Sequence, residues 1–134
     1  MFPDRLIGDD SLRTDADGFS FEARIPWYRA LPLASVTGVR VVVDGEPVDA
    51  DDVTFGVNGR RYRLDELPPR HDEWWYVTDG AEIRVRRAGG LGEGAHEVDL
   101  TLGIHIPYLV FDGETLVVTE RCVKPMTARM EVAA

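Results

Sequence analysis

The most constraining feature of the sequence is an unbroken alternation of polar and apolar side chains from Glu97 to Ile106. Successive side chains of a β-strand point to opposite faces, so this pattern predicts a half-buried strand. His105 would lie on its polar face, and Pro107 would end the strand. The predicted buried face carries Val98, Leu100, Leu102, Ile104 and Ile106.

Short apolar runs and turn dipeptides recur along the rest of the chain. Asp44-Gly45, Asn58-Gly59 and Asp112-Gly113 predict tight turns, because these residues tolerate positive φ. Residues Leu64–Leu67 offer at most one helical turn before Pro68. We therefore expect an all-β domain with eight or nine short strands and little helix. An antiparallel β-sandwich fits this spacing, with a barrel or jelly-roll as the alternative.

Length and charge restrict the class of protein. A chain of 134 residues predicts one domain, spanning 1–134. A formal net charge of −9 argues against nucleic-acid binding, which needs clustered cations. The single cysteine, Cys122, fits a reducing compartment, and the sequence has neither a signal peptide nor an apolar run of about 18 to 20 residues. We expect a cytoplasmic protein without a membrane partner.

Two adjacent tryptophans define a second predicted strand, Trp74–Val77, which follows a charged loop containing His71 and Glu73. Alternation would place Trp74 and Tyr76 on one side and Trp75 and Val77 on the other. Because both tryptophans cannot enter the same core from one strand, one side of this strand is expected to contact a ligand or a partner.

The segment from Pro26 to Leu33 is bracketed by prolines and is unusually apolar for a loop. Trp, Tyr and Arg are enriched at protein interfaces, and aromatic rings also stack on sugars. The residues expected at a subunit interface or substrate cleft are Trp27, Tyr28, Arg29, Leu31, His71, Glu73, Trp74, Trp75 and Tyr108.

No catalytic or metal-binding residue is predicted. His71 with Glu73, joined by His96 and His105, suggests a cupin-like metal site, but the cluster of two histidines one residue apart followed by a glutamate is absent. No serine lies in a glycine-flanked elbow, and Cys122 lies within a strand pattern. The glycine-rich stretch 88–94 lacks the lysine of a phosphate-binding loop, so we expect it to be a flexible hairpin loop.

Several stretches of the sequence resemble the small β subunit of bacterial C-glycoside deglycosidases, the C-deglycosylation enzymes. They occur in the same order over most of the chain, although none is a chemical signature by itself. These stretches are Ile25–Val36, Val43–Glu46, Trp74-Trp75 followed by Asp79, Gly94–Val98 and Ile106–Tyr108.

The resemblance implies a larger α subunit, with a barrel of parallel strands and a divalent metal expected to be manganese, that carries most of the catalysis. Such a hetero-oligomer cleaves the C–C glycosidic bond of a 3-oxo-C-glycoside of an aromatic aglycone such as a flavonoid. The 3-keto group acidifies the C2–H, so a base removes that proton and the aglycone leaves by elimination. The β subunit is not expected to be catalytic alone or to hold a cofactor.

Two alternatives remain open at this stage. One is a free-standing carbohydrate- or flavonoid-binding β-sandwich that uses the same tryptophans. The other is a small cupin-like metal enzyme. The three hypotheses differ in whether the purified chain exists alone or binds a partner subunit.

Overall fold

A computed structural model describes residues 6–27, 29–76 and 79–130, with the backbone alone for Pro107 and Phe111. This part of the chain consists mainly of β-strands, joined by turns and short 3₁₀ segments. The strands are β1 (Arg13–Thr14), β2 (Gly18–Ala23), β3 (Leu31–Pro32), β4 (Val36–Val43), β5 (Glu46–Pro47), β6 (Val53–Val57), β7 (Arg60–Arg63), β8 (Trp74–Trp75), β9 (Ala81–Arg86), β10 (Gly94–Phe111) and β11 (Glu114–Met130). The 3₁₀ segments are Leu33–Ser35, Ala50–Asp52 and Leu64–Glu66.

Nine strands form one continuous sheet in the order β5-β4-β10-β11-β1-β2-β9-β6-β7. The pairings are antiparallel except that of β1 with β11, which is parallel. Both halves of the sheet, on either side of β1, contribute side chains to one hydrophobic core. The predicted all-β, sandwich- or barrel-like fold is confirmed, although four of its strands have two residues each. Of these four, β8 lies within the predicted strand Trp74–Val77, whereas β1 and β3 carry too little pattern to be seen in the sequence.

Strand β10 supplies the centre of the core. The five side chains predicted on its buried face are all fully buried. The expectation that Pro107 ends this strand is wrong, because β10 continues to Phe111. A register shift between Ile106 and Val110 interrupts the ladder with β11, and such irregularities accommodate a proline that has no N–H to donate.

The three predicted turns are confirmed. Asp44, Asn58 and Asp112 have φ values of 51°, 55° and 50°, and the glycine after each also has positive φ. Two successive residues with positive φ form the turn whose twist matches that of the strands it joins. The β4–β5, β6–β7 and β10–β11 connections are therefore tight hairpins.

The glycine-rich stretch 88–94 is not a hairpin loop, contrary to expectation. It connects β9 to β10, which lie in different halves of the sheet. The Leu91 N–H donates to the Thr14 hydroxyl at 2.8 Å, and that hydroxyl is 3.0 Å from the Leu91 carbonyl. A local sequence pattern does not show which strands a loop joins.

Within the described ranges, no helix has the length and apolar character needed to cross a membrane.

Strands β3 and β8 form a separate two-stranded ribbon, in which Leu31 pairs with Trp75 and Pro32 with Trp74. Trp75 is 1% exposed, and its ring meets Phe55 edge-on with centroids 5.2 Å apart. Trp74 is 43% exposed. The prediction that one tryptophan enters the core and the other leaves it is confirmed, while Val77 lies outside the described residues.

A histidine joins the β4–β5 turn to the β9–β10 connection. The two ring nitrogens of His96 lie 2.6 Å from the Asp44 carboxylate and 2.6 Å from the Gly92 carbonyl oxygen. Both partners are acceptors, so the protonated ring, in which both nitrogens donate, satisfies both contacts. Asp44 also accepts from the Glu97 N–H at 2.8 Å. The Asp44 carboxylate and the Gly92 carbonyl raise the pKa of His96, while His96 and the Glu97 N–H lower the pKa of Asp44.

The two tryptophans are expected to differ in their contribution to stability. Trp75→Ala should lower the free energy of unfolding by about 3 to 5 kcal/mol, because it leaves a cavity beside Phe55. Trp74→Ala, the matched control, should cost less than about 1 kcal/mol, because the side chain is partly solvated. Urea unfolding of the isolated chain measures both, and equal losses would contradict the assignment of one tryptophan to the core.

The His96 contacts predict a pH-dependent contribution to stability. The contacts that raise the pKa of His96 stabilise the fold fully below about pH 6.5, and this stabilisation is lost as the pH rises through the raised pKa. The contacts that lower the pKa of Asp44 stabilise the fold fully above about pH 3.8, and this stabilisation is lost as the pH falls through the lowered pKa. His96→Ala should therefore cost most, about 1 kcal/mol, between these limits.

Urea unfolding of wild type and His96→Ala from pH 4 to 9 measures this difference. The exposed His71 provides the control, since His71→Ala should change stability by less than about 0.5 kcal/mol throughout. A His96→Ala deficit that is largest at pH 9 would show that the ring is neutral in the native state.

Candidate functional site

The structure brings three of the predicted residues together into one surface, the Trp27–Tyr108 cluster, formed by Trp27, Arg29 and Tyr108. The Trp27 indole N–H donates to the Tyr108 hydroxyl at 2.6 Å. The Arg29 guanidinium carbon lies 5.8 Å from the centre of the Tyr108 ring, within cation–π range. Trp27 also packs against the core, while Tyr108 is 45% exposed. The cluster therefore presents an aromatic surface that is held in place from the core side.

Tyr108 owes its position to the irregular part of β10. Pairing of β10 with β4 ends at Ile104 opposite Val36, and the paired positions with β11 skip from Ile106 to Val110. Tyr108 therefore lies where no ladder partner fixes the chain, and the contacts from Trp27 and Arg29 restrain its ring. Tyr28 lies outside the described residues.

The second group of predicted residues belongs to the β3–β8 ribbon. Leu31 and Trp75 are buried within this chain, because their cross-strand pairing places both on the inward face. They therefore support the ribbon from beneath and do not form its outer surface. Trp74 and Tyr76, which alternation places together on the other side, are 43% and 49% exposed.

The loop before Trp74 is anchored through its backbone. The Glu73 carbonyl accepts from the Leu33 N–H at 2.8 Å, and the Arg70 carbonyl accepts from the Ala34 N–H at 3.0 Å. His71, between them, is exposed. This loop therefore runs alongside the 3₁₀ segment Leu33–Ser35, and these hydrogen bonds hold the ribbon next to it.

Two supporting residues were not recognised from the sequence. The Asn58 side-chain amide donates to the Trp74 carbonyl at 2.8 Å and to the Glu73 carboxylate at 3.2 Å. The Arg70 guanidinium lies 5.2 Å from the centre of the Tyr62 ring. The sequence predicts Asn58 only as a turn residue, and it carries no signal for the contact of Asn58 with a residue sixteen positions later. Both residues connect the β6–β7 hairpin region to the ribbon.

Asp99 and Arg121 form an ion pair on the outer face of the sheet. Arg121 donates two hydrogen bonds to the Asp99 carboxylate, at 3.0 and 2.7 Å. The Arg121 guanidinium lowers the pKa of Asp99. A carboxylate held ionised in this way is a poor general base, and the pair is best understood as a cross-strand contact between β10 and β11.

A metal ion would be held by a group of His, Cys, Asp or Glu side chains. Within 6–27, 29–76 and 79–130, no three His, Cys, Asp or Glu side chains come together as a metal site. They therefore give no donor set for the divalent metal that the resemblance implies, which it places in the α subunit. Both ring nitrogens of His96 are engaged, and Cys122 is buried. The candidate residues supply aromatic faces, a guanidinium and a hydroxyl, which suit binding.

Comparison with known proteins places the chain in a family. The family model described as C-glycoside deglycosidase beta subunit matches residues 4–108. A C-glycoside deglycosidase beta subunit of Microbacterium trichothecenolyticum is 39% identical over 132 residues, covering 96% of this chain and 98% of the relative. A 3'-dehydrocarminate deglycosidase beta subunit of a Microbacterium species is 40% identical over 129 residues, covering 96% and 97%.

A third relative is more distant but matches over a similar length. It is a C-glycoside deglycosidase beta subunit of Arthrobacter globiformis, 33% identical over 126 residues, with 94% of this chain and 96% of the relative covered. The resemblance noted in the sequence is thus confirmed, and the chain belongs to the C-glycoside deglycosidase beta subunit family.

Proposed function

We propose that this chain is the accessory β subunit of a hetero-oligomeric C-glycoside deglycosidase. Its partner is a larger barrel-type α subunit that holds a divalent metal, manganese, and carries most of the catalysis. The complex cleaves the C–C glycosidic bond of 3-oxo-C-glycosides of aromatic aglycones, including flavonoids, by elimination. We place this activity in the cytoplasm, with no cofactor bound by this chain.

The observation that carries this proposal is similarity along nearly the whole length of named beta subunits. A subunit named in this way is one component of an assembly. The described residues agree with an accessory role, because they supply an exposed aromatic surface. The second relative is named for 3'-dehydrocarminate, which supports an oxidised glycoside as the substrate class.

We assign the contact with the α subunit, or with the edge of its substrate cleft, to the aromatic surface. Trp74, Tyr76 and Tyr108 each expose nearly half of their surface, and the Trp27–Tyr108 cluster adds Arg29. Binding energy at interfaces is concentrated in Trp, Tyr and Arg side chains that become desolvated in the complex. An aromatic surface of this kind also suits the flat face of a flavonoid at the boundary between the subunits.

Co-expression with a barrel-type α subunit of a C-glycoside deglycosidase tests the proposal. The two are expected to co-elute in size-exclusion chromatography and to release the aglycone from a 3-oxo-C-glycoside together. Trp74→Ala should weaken association by about 1 to 3 kcal/mol in calorimetry, because the indole loses its contact with the partner.

Val123→Ala is the control, since Val123 on β11 is similarly exposed and should leave association unchanged. A chain that stays monomeric beside the α subunit, and that does not alter its deglycosylation, would overturn the proposal. Tryptophan fluorescence of the isolated chain that responds to a glycoside would instead indicate a free-standing binding protein.

A further inference from the structure

The curled sheet does not close on itself. Its order begins at β5-β4 and ends at β7, and no pairing between described strands joins these ends. A cleft of about 730 Å³ lies between β4 and the segment that follows β7. Its lining includes Val36, Gly38 and Val39 from β4 and Leu64, Leu67 and Pro68 from the facing segment.

The edge of β4 that borders this cleft is unpaired over the first part of the strand. On the β5 side, pairing among described residues covers β4 from Val41 onward, through the hydrogen bond from the Val48 N–H to the Val41 carbonyl and the register of Val42 and Val43. On its other side β4 pairs with β10 as far as Val36, with a register shift between Gly38 and Val36. Residues 36–40 therefore have one free edge, which is interrupted by a bulge at Thr37 and is at most about 16 Å long.

The direction of the backbone groups on this edge follows from two hydrogen bonds. The Asp44 N–H donates to the Glu97 carbonyl, so the backbone N–H and C=O groups of the even-numbered residues from Gly38 to Asp44 point toward β10. The Val41 carbonyl accepts from the Val48 N–H, so the backbone groups of the odd-numbered residues in this range point away from β10. The N–H and the C=O of Val39 therefore point into the free side, where the cleft lies.

The walls of the cleft suit a chain with alternating apolar and polar side chains. Val36 and Leu67 are buried and Leu64 is partly buried, which gives an apolar floor. The arginines on the rim are each paired with a carboxylate, Arg63 with Asp65 at 3.2 Å and Arg86 with Asp52 at 3.0 Å. Because these charges are already neutralised locally, the cleft does not favour a phosphate or another strongly charged small ligand.

We propose that this cleft is a strand-addition site, in which an extended segment of the α subunit pairs with residues 36–40 of β4. The inference rests on the proposed function and names a second contact, distinct from the aromatic surface. A free strand edge is satisfied by another extended backbone, with alternate side chains entering the apolar floor.

The charge of the chain favours a partner over a second copy. With a formal net charge of −9, two copies repel each other at low salt. The outer edge of β11, in contrast, carries Pro125, which has no N–H to donate. Beside it, Lys124 donates to the Ile7 carbonyl and the Asp9 carboxylate, so the segment that contains Ile7 and Asp9 covers this part of the edge. The β4 edge is thus the better site for adding a strand.

Amide hydrogen exchange on the complete chain, alone and with the co-expressed α subunit, tests the inference. The Val39 amide is expected to exchange at least about tenfold more slowly in the complex, because its N–H gains a hydrogen-bond acceptor. Unchanged exchange at Val39 in a complex that does form would overturn the strand-addition site and leave the proposed function standing. If no complex forms, both fail.

A pair of variants tests the same contact through affinity. Val39→Pro removes the outward N–H, which an edge strand tolerates, whereas Val39→Ala loses the same side-chain packing but keeps the N–H. Val39→Pro is expected to weaken α-subunit binding at least tenfold relative to Val39→Ala. Equal affinities overturn the inference, as does self-association of the isolated chain that Val39→Pro abolishes, since this would identify a second copy as the occupant.

Should Val39→Pro not fold, Gly38→Leu provides an independent route. A Cβ added at Gly38 would meet nothing within 4 Å, so the fold should accept a leucine there, and its side chain would occupy space at the lining of the cleft. Gly92→Leu is the matched control, because Gly92 is equally open and lies outside the cleft lining. A loss of α-subunit binding with Gly38→Leu alone supports the site, and equal binding by both variants overturns it.

Discussion

Strands β10 and β11 pair along almost their whole lengths, from Gly94 opposite Ala128 to Phe111 opposite Glu114. This ladder supplies the largest fully buried row in the core, and β4 attaches to its other side. The β3–β8 ribbon, the turns and the candidate surface are all placed relative to it. A polar substitution at Leu100 or Leu102 would therefore disturb more of the molecule than any change in the aromatic surface.

The features that could be predicted from sequence are those in which neighbouring residues determine the outcome. Alternation fixes which side of β10 is buried and places Trp74 and Trp75 on opposite sides of their strand, and Asn58-Gly59 fixes a turn through its positive φ. The course of the stretch 88–94 could not be predicted, because a loop pattern does not identify the strands it connects. The extension of β10 past Pro107 depends on an irregularity that tertiary packing permits.

The candidate site shows the same division. Trp27, Arg29 and Tyr108 were each identified as aromatic or cationic candidates, but their contact joins positions about eighty residues apart and leaves no local signal. Leu31 and Trp75 are buried in the core, whereas Trp74 lies on the outer surface. Composition thus identified the kind of surface, and the fold determined which of its side chains can be reached.

The parallel contact of β1 with β11 has a consequence for folding. Arg13 and Thr14, near one end of the chain, pair with Arg129 and Met130, near the other. The two halves of the sheet are joined through this pairing, which closes a loop of nearly the whole polypeptide and so carries a large entropic cost. Topologies with such distant contacts fold slowly. A nascent chain would therefore complete this sheet only after β11 has left the ribosome.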